Sequence, residues 1–203
     1  MSGVELVENR IHDPQDNEVL IEVKAASVNF PDLLMTQGKY QHKPELPFGL
    51  GMEGSGIVRS VGTKVSKVKE GDEITFGALG KGAFTELICV NENSVEIKPS
   101  NLSFEQAAAF QTAYLTAYVS LVRRGELTKG ENLLVHGATG GVGMAAVQLG
   151  KYLGAKVIAT GTSEEKLKET INWGADHTVI THKRDKVEFR DEVKELTGGL
   201  GAD

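Results

Sequence analysis

Cysteine is almost absent from this sequence, and so is any long apolar run. Among 203 residues there is a single thiol, Cys89, which excludes an internal disulfide and any zinc site built from several cysteines, and suits a reducing compartment. The alternating segment Thr85 to Val90 around it reads as a strand with a buried thiol rather than as a nucleophile's loop. No apolar stretch approaches the roughly 20 residues that cross a bilayer, and the opening Met1-Ser2-Gly3-Val4-Glu5 has neither a signal-peptide core nor an Arg-rich transit pattern. A basic excess is missing too: the formal net charge is -6, with acids and bases scattered along the chain, so no stripe is offered to a phosphate backbone. These absences set aside nucleic acid and membrane as partners and place the chain, by default, in the cytoplasm.

What is present is enough apolar material, 40% of residues, for a core of ordinary size in one or two domains. The first hundred residues read as short strands, Val19 to Ala25, Gly56 to Val61, Glu73 to Phe76 and Phe84 to Val90, separated by turn residues such as Asp13-Pro14 and Glu70-Gly71-Asp72. A short-stranded barrel or open sheet follows. Near Pro99 the texture changes. Ser103-Phe104-Glu105-Gln106 opens a helix with a capping box, and a second helix is expected from Thr112 to Arg124, ending at Gly125. A strand over 132–136, a glycine-rich turn, a helix from Met144 to Leu153 and a strand from Lys156 to Thr160 then make a βαβ unit. Its strands are apolar throughout, as expected of a parallel sheet covered on both faces. The expected class is α/β with a β-rich first domain, residues 1–102, and a parallel-sheet domain over 103–203.

The turn Gly137-Ala138-Thr139-Gly140-Gly141-Val142-Gly143 lies between the first strand and helix of that unit, with Ala138, Gly140 and Gly143 at three small positions. A dinucleotide fingerprint asks these positions for a tight turn, close approach of backbone to the pyrophosphate, and close helix–strand packing, with the helix N-terminus facing the negative charge. A glycine fingerprint alone is weak evidence; here it has the strand before it and the helix after it. An acid at the end of the second strand would hold the ribose 2′-hydroxyl of NAD, but that place reads Gly161-Thr162-Ser163, followed by Glu164-Glu165-Lys166. Hydroxyl donors and a lysine suit a 2′-phosphate, so NADPH is the expected cofactor. The plainer reading is that Ser163 caps the next helix and Lys166 lies on its solvated face.

Together with Ser27-Val28-Asn29-Phe30-Pro31-Asp32, Gly51-Met52-Glu53-Gly54-Ser55-Gly56 and Phe104-Glu105-Gln106-Ala107-Ala108-Ala109, the turn resembles the medium-chain dehydrogenase/reductase superfamily in its quinone oxidoreductase branch. The resemblance runs over nearly the whole chain. It implies a GroES-like catalytic domain followed by a Rossmann doubly wound sheet, with the active site in the cleft between them. It also implies that the chain is a fragment: the family has a further strand before Val4, and its fourth Rossmann strand begins where this chain stops. The region of the family's usual homodimer contact would then be absent.

Zinc enzymes of the superfamily carry a cysteine in place of the Val28-Asn29 stretch and a Gly-His-Glu motif where this chain has Gly51-Met52-Glu53. Met52 is a poor zinc ligand, and His12, His42, His136, His177 and His182 show no paired ligand spacing, so zinc-independent chemistry is expected. Met52 then reads as a packed residue and Glu53 as a buried structural carboxylate. By the same resemblance Asn29 is a polar group near nicotinamide and substrate, and Asp32 orders that loop. Tyr40 stands at the pocket as an oxyanion donor or stacking ring, and Thr116 touches the cofactor; Gly141 and Val142 complete the pyrophosphate turn, and Gly161, Ser163 and Lys166 its 2′-phosphate side. The residues alone also allow Asn29 as a turn former, Asp32 as a helix cap and Thr116 as an ordinary helix residue. The implied reaction is hydride transfer from NADPH to a quinone or α,β-unsaturated carbonyl. Two alternatives stay open: an enoyl-thioester reductase, and a protein that binds cofactor without useful turnover.

Overall fold

The computed structural model describes residues 3–181 and 186–203; His182 lies outside them. The chain divides into two compact units, Met1–Thr112 and Ala113–Asp203.

In the first unit, strands β1 (Glu18–Ala26), β2 (Glu53–Val61), β3 (Glu73–Gly77), β4 (Leu87–Asn91) and β5 (Val95–Ile97) form one sheet in the order β4-β1-β2-β3-β5. Every pairing is antiparallel. Alternation sorts their side chains: Val19, Ile21, Val58, Ile74, Phe76, Ile88 and Val90 meet in one apolar core. Two strands differ from expectation at one end. β2 starts at Glu53, three positions before Gly56, and β4 starts only at Leu87, because Phe84 N–H donates to Leu50 O (3.0 Å) instead of joining the ladder. Helix α1 (Phe30–Thr36) follows β1.

Helix α2 (Phe104–Ala108) packs on β1, β2 and β3, so the first unit runs on to Thr112, past the boundary expected at residue 102. The reason is local. The buried Lys98 ammonium donates to Leu102 O (2.6 Å), pairs with Glu73 (3.0 Å) and lies 5.3 Å from the centre of the Phe104 ring, while Ser55 Oγ donates to Phe104 O (2.6 Å). The expected capping box is present, Gln106 N–H donating to Ser103 Oγ (3.2 Å) and Ser103 N–H to Gln106 Oε1 (3.0 Å).

Helix α3 (Gln111–Tyr118) does not continue as an α-helix to Arg124. Over Val119–Arg124 it widens into a π-helical turn, closed by Gly125 N–H donating to Ser120 O (2.8 Å). The second unit is a βαβαβα run: β6 (Asn132–Val135), α4 (Gly141–Tyr152), β7 (Lys156–Gly161), α5 (Glu164–Asn172), β8 (His177–Ile180) and α6 (Lys186–Leu196). The three strands are parallel in the order β6-β7-β8. Successive residues of β7 enter different cores, Val157 and Ala159 joining Val147 of α4 and Leu167 of α5, and Ile158 joining Val193 of α6. Helices therefore cover both faces, which explains strands that are apolar throughout.

Candidate functional site

In the first unit, α1 begins directly after β1 because Asn29, in extended conformation, caps it and Pro31 sits in its first turn. Asp32, 4% exposed, accepts from Asn29 N–H at Oδ2 (2.8 Å) and from Gly51 N–H at Oδ1 (3.2 Å). Both carboxylate oxygens are thus engaged by backbone, and Asp32 orders the loop instead of facing a ligand. Glu53, 2% exposed at the head of β2, accepts from Asn29 Nδ2 at Oε1 and from Thr112 N–H at Oε2, both at 2.8 Å. A buried carboxylate is tolerable only when its oxygens are satisfied, and these two bonds do that. They also fix the Asn29 amide in one orientation. The sequence marks Glu53 as a structural carboxylate without revealing that its partner is Asn29. Tyr40 is half-buried in the bend after α1, past Gly38, whose φ of +64° ends that helix.

In the second unit, the glycine turn has the expected place and a different internal division of labour. The residue that takes the left-handed turn is Gly137 (φ +62°), which the fingerprint reading leaves out. Ala138 is fully buried and donates its N–H to Thr160 O (2.9 Å), so it forms the floor of the turn. A Cβ at Gly143 would lie 2.3 Å from Gly137 O and 2.7 Å from Ala138 Cα, so no side chain fits there and the helix can lie against the strand. Helix α4 starts at Gly141, three residues earlier than expected, with Gly140 as its N-cap. The bond from Met144 N–H to Gly140 O (2.8 Å) is the first of the helix, so the N–H groups of Gly141, Val142 and Gly143 project from its end.

This end opens on space. A Cβ on Gly141 would meet nothing within 4 Å, and one on Gly140 only Gly137 O at 3.5 Å. A cavity of about 380 Å³ runs from His136, Gly137 and Val142 at the turn to Leu121 and Ala146. A pyrophosphate fits this setting: small residues, outward N–H groups and the positive end of a 12-residue helix. His136 Nδ1 lies 3.0 Å from Oγ1 of the buried Thr160, tying together the ends of β6 and β7 beside the turn. At the end of β7, Gly161 is buried, Ser163 Oγ accepts from Lys166 N–H (3.4 Å) as the cap of α5, and Thr162 and Lys166 are exposed. The capping role of Ser163 is therefore real, and the side chains open to a 2′-phosphate are those of Thr162 and Lys166. Thr116 is exposed on α3, and Tyr114 Oη bonds Gln148 Oε1, joining α3 to α4.

Residues 15–100 match the family described as the alcohol dehydrogenase GroES-like domain, and residues 141–203 the family described as zinc-binding dehydrogenase. Human quinone oxidoreductase is 36% identical over 190 residues, which are 94% of this chain and 57% of that protein. The crystal structure of Escherichia coli quinone oxidoreductase complexed with NADPH superposes with a TM-score of 0.83 at 36% identity, over 95% of this chain and 58% of that one. The CurK enoyl reductase superposes with a TM-score of 0.84 at 31% identity, over 96% and 60%. The chain thus spans somewhat more than half the length of the proteins it matches.

Proposed function

From the membership of this chain in the medium-chain dehydrogenase/reductase superfamily, within its quinone oxidoreductase branch, we propose an NADPH-dependent reductase that passes hydride to a quinone or α,β-unsaturated carbonyl without a metal. The observation that carries this reading is the open N-terminus of α4, whose small residues leave backbone N–H groups facing outward beside a β7 that ends in Gly161-Thr162-Ser163 and not in an acid.

The cofactor, when bound, supplies the hydride; the chain's residues hold and orient it. Gly140, Gly141 and Val142 meet the pyrophosphate through backbone, Gly143 and Ala138 keep helix and strand together beneath it, and Thr162 and Lys166 donate to the 2′-phosphate. Glu164 and Glu165, in the first turn of α5, temper the positive field there, so the Lys166 contact decides the preference. The resemblance assigns Asn29 and Tyr40 to the substrate side and Thr116 to the cofactor, and these assignments belong to the proposal. A single thiol suits a reducing compartment such as the cytoplasm. Among the described residues no helix is long and apolar enough to cross a membrane.

A charge-assisted bond is worth roughly 1.5–3 kcal/mol, and about 1.4 kcal/mol is tenfold in affinity. NADPH should therefore bind about ten- to a hundredfold tighter than NADH by titration calorimetry. Lys166→Ala should erase most of that difference and leave NADH binding nearly intact; equal affinities for the two cofactors in the unmodified protein would refute the cofactor assignment. A second reading, an enoyl-thioester reductase, is favoured by the similarity to CurK enoyl reductase. NADPH oxidation measured with quinones, enones and enoyl thioesters separates the two, and chelator in the assay should leave the rate unchanged. Binding without oxidation of NADPH by any of them would select a protein that holds the cofactor without turnover.

A further inference from the structure

The sequence spacing of the histidines conceals a cluster on the first unit. The register pairs Glu18 with Asn91 and Leu20 with Cys89, so Glu18 and Cys89 share a sheet face, opposite the core face of Val19, Ile21, Ile88 and Val90. Over that face runs the segment that precedes β1. His12 O accepts from Cys89 Sγ (3.5 Å), and the His12 ring lies with Nδ1 3.9 Å from Glu18 Oε2. One ligand atom each from His12, Glu18 and Cys89 lies within 4.8 Å of the others. Nitrogen, carboxylate oxygen and sulfur are the donor types that zinc takes, at about 2.0–2.3 Å, so in a tetrahedral site they stand roughly 3.3–3.8 Å apart. The contraction needed is about an ångström. His12 can supply it, being exposed in a segment with no strand or helix.

We propose that His12, Glu18 and Cys89 form a divalent-cation site for zinc or a similarly borderline-soft ion, which staples the segment before β1 onto the sheet. Sγ binds as thiolate, its proton passing to solvent, Glu18 gives one oxygen and His12 one ring nitrogen, and water completes the tetrahedron. Present contacts of the cluster oppose it and set its affinity. His12 Nδ1 is 2.8 Å from Asp13 O, Gln15 N–H donates to Glu18 Oε2 (3.2 Å), and the Lys81 ammonium holds Glu18 Oε1 and Cys89 O, each at 3.1 Å. Lys81 is thus the competing cation, and its side chain is half exposed and free to swing out. The site is separate from the dinucleotide turn and does not depend on the reading of that turn.

The test is Co²⁺ titrated into the 203-residue chain under a thiol-free reductant. One equivalent should give the sulfur-to-cobalt charge-transfer band and tetrahedral d–d bands, both displaced by Zn²⁺. Cys89→Ser should lose the charge-transfer band, and His12→Asn and Glu18→Gln should each weaken binding at least tenfold. Lys81→Gln should tighten it severalfold, an effect that a folding defect cannot imitate. Zinc should also slow tryptic cleavage after Arg10, which lies in the stapled segment. No band at stoichiometric Co²⁺ overturns the proposal. So does a band that persists unchanged in the His12 and Glu18 variants, which would mean an adventitious thiolate alone, and so does binding indifferent to Lys81.

Discussion

Asn29 and Glu53 illustrate how a residue's type can be right while its partner stays hidden. The motif around Asn29 suggests a polar group at a site, and Met52-Glu53 a buried carboxylate, but a separation of 24 positions gives no hint that the two are hydrogen-bonded. That bond depends on the pairing of β1 with β2. Likewise, the glycine pattern points to Ala138 as the turn former, whereas the backbone puts the left-handed residue one place earlier at Gly137. The side-chain pattern cannot tell these apart, because both residues are small. A consequence can be measured. Asn29→Ala strips one partner from a carboxylate that is 2% exposed, and should lower unfolding stability by about 1–3 kcal/mol in urea titrations. Asn29→Asp should cost more, since it faces one buried carboxylate with another. Unchanged urea midpoints in both would mean that Asn29 serves only a ligand and not the frame around it.

At the scale of elements, the strands and helices were readable where periodicity is strong, and their ends were not. The helix expected from Met144 begins at Gly141, because glycines read as turn even when their N–H groups already belong to the helix end. The continuous helix expected to Arg124 widens instead after Tyr118, a change in hydrogen-bond register that leaves no trace in composition. The early start of α4 separates two kinds of glycine. Gly143→Ala should destabilise the protein, by about 1–3 kcal/mol as an overpacked site, since its Cβ would strike the backbone of Gly137 and Ala138. Gly141→Ala, which meets open space, should leave thermal unfolding unchanged and weaken NADPH binding. If the alanine at 141 binds NADPH as well as wild type does, the helix end is not where the cofactor lies.

Asp176 ties three elements of the second unit, pairing with Lys151 at the end of α4 (2.6 Å) and accepting from Val157 N–H of β7 (2.8 Å) just before β8. Burial pushes its carboxyl up, but the Lys151 and Val157 bonds outweigh this and hold it below the usual range. A carboxyl depressed in the folded state binds its proton more readily when unfolded. Its contribution is therefore whole above the ordinary Asp value near 4 and is lost as pH falls through the lower, folded value. Asp176→Asn should remove that part of the acid sensitivity: the difference in thermal midpoint between wild type and variant is expected to be largest near neutrality and to shrink below about pH 4.

For the whole molecule, the change of texture near Pro99 correctly announces a second kind of architecture, but the first unit keeps α2 and ends at Thr112. Composition marks where helices begin; which sheet a helix packs against is decided by Lys98, Phe104 and Ser55. With the dinucleotide turn lying wholly in Ala113–Asp203, NADPH should slow amide exchange most at the start of α4 and at the ends of β6 and β7. Hydrogen exchange followed by mass spectrometry on the 203-residue chain checks this, and protection concentrated in β1 to β5 instead would contradict the placement. The strand order has a different kind of consequence. β1 lies between β2 and β4, so during synthesis one side of this Val- and Ile-containing strand stays bare until the residues of β4 have emerged, long after β2 has paired with the other. A bare strand edge is a template for a neighbouring chain, and sheets closed by distant segments fold slowly. The period between the two pairings is when polyribosomes crowd several such edges together, so the soluble yield of this protein should depend on how slowly it is translated and at what temperature.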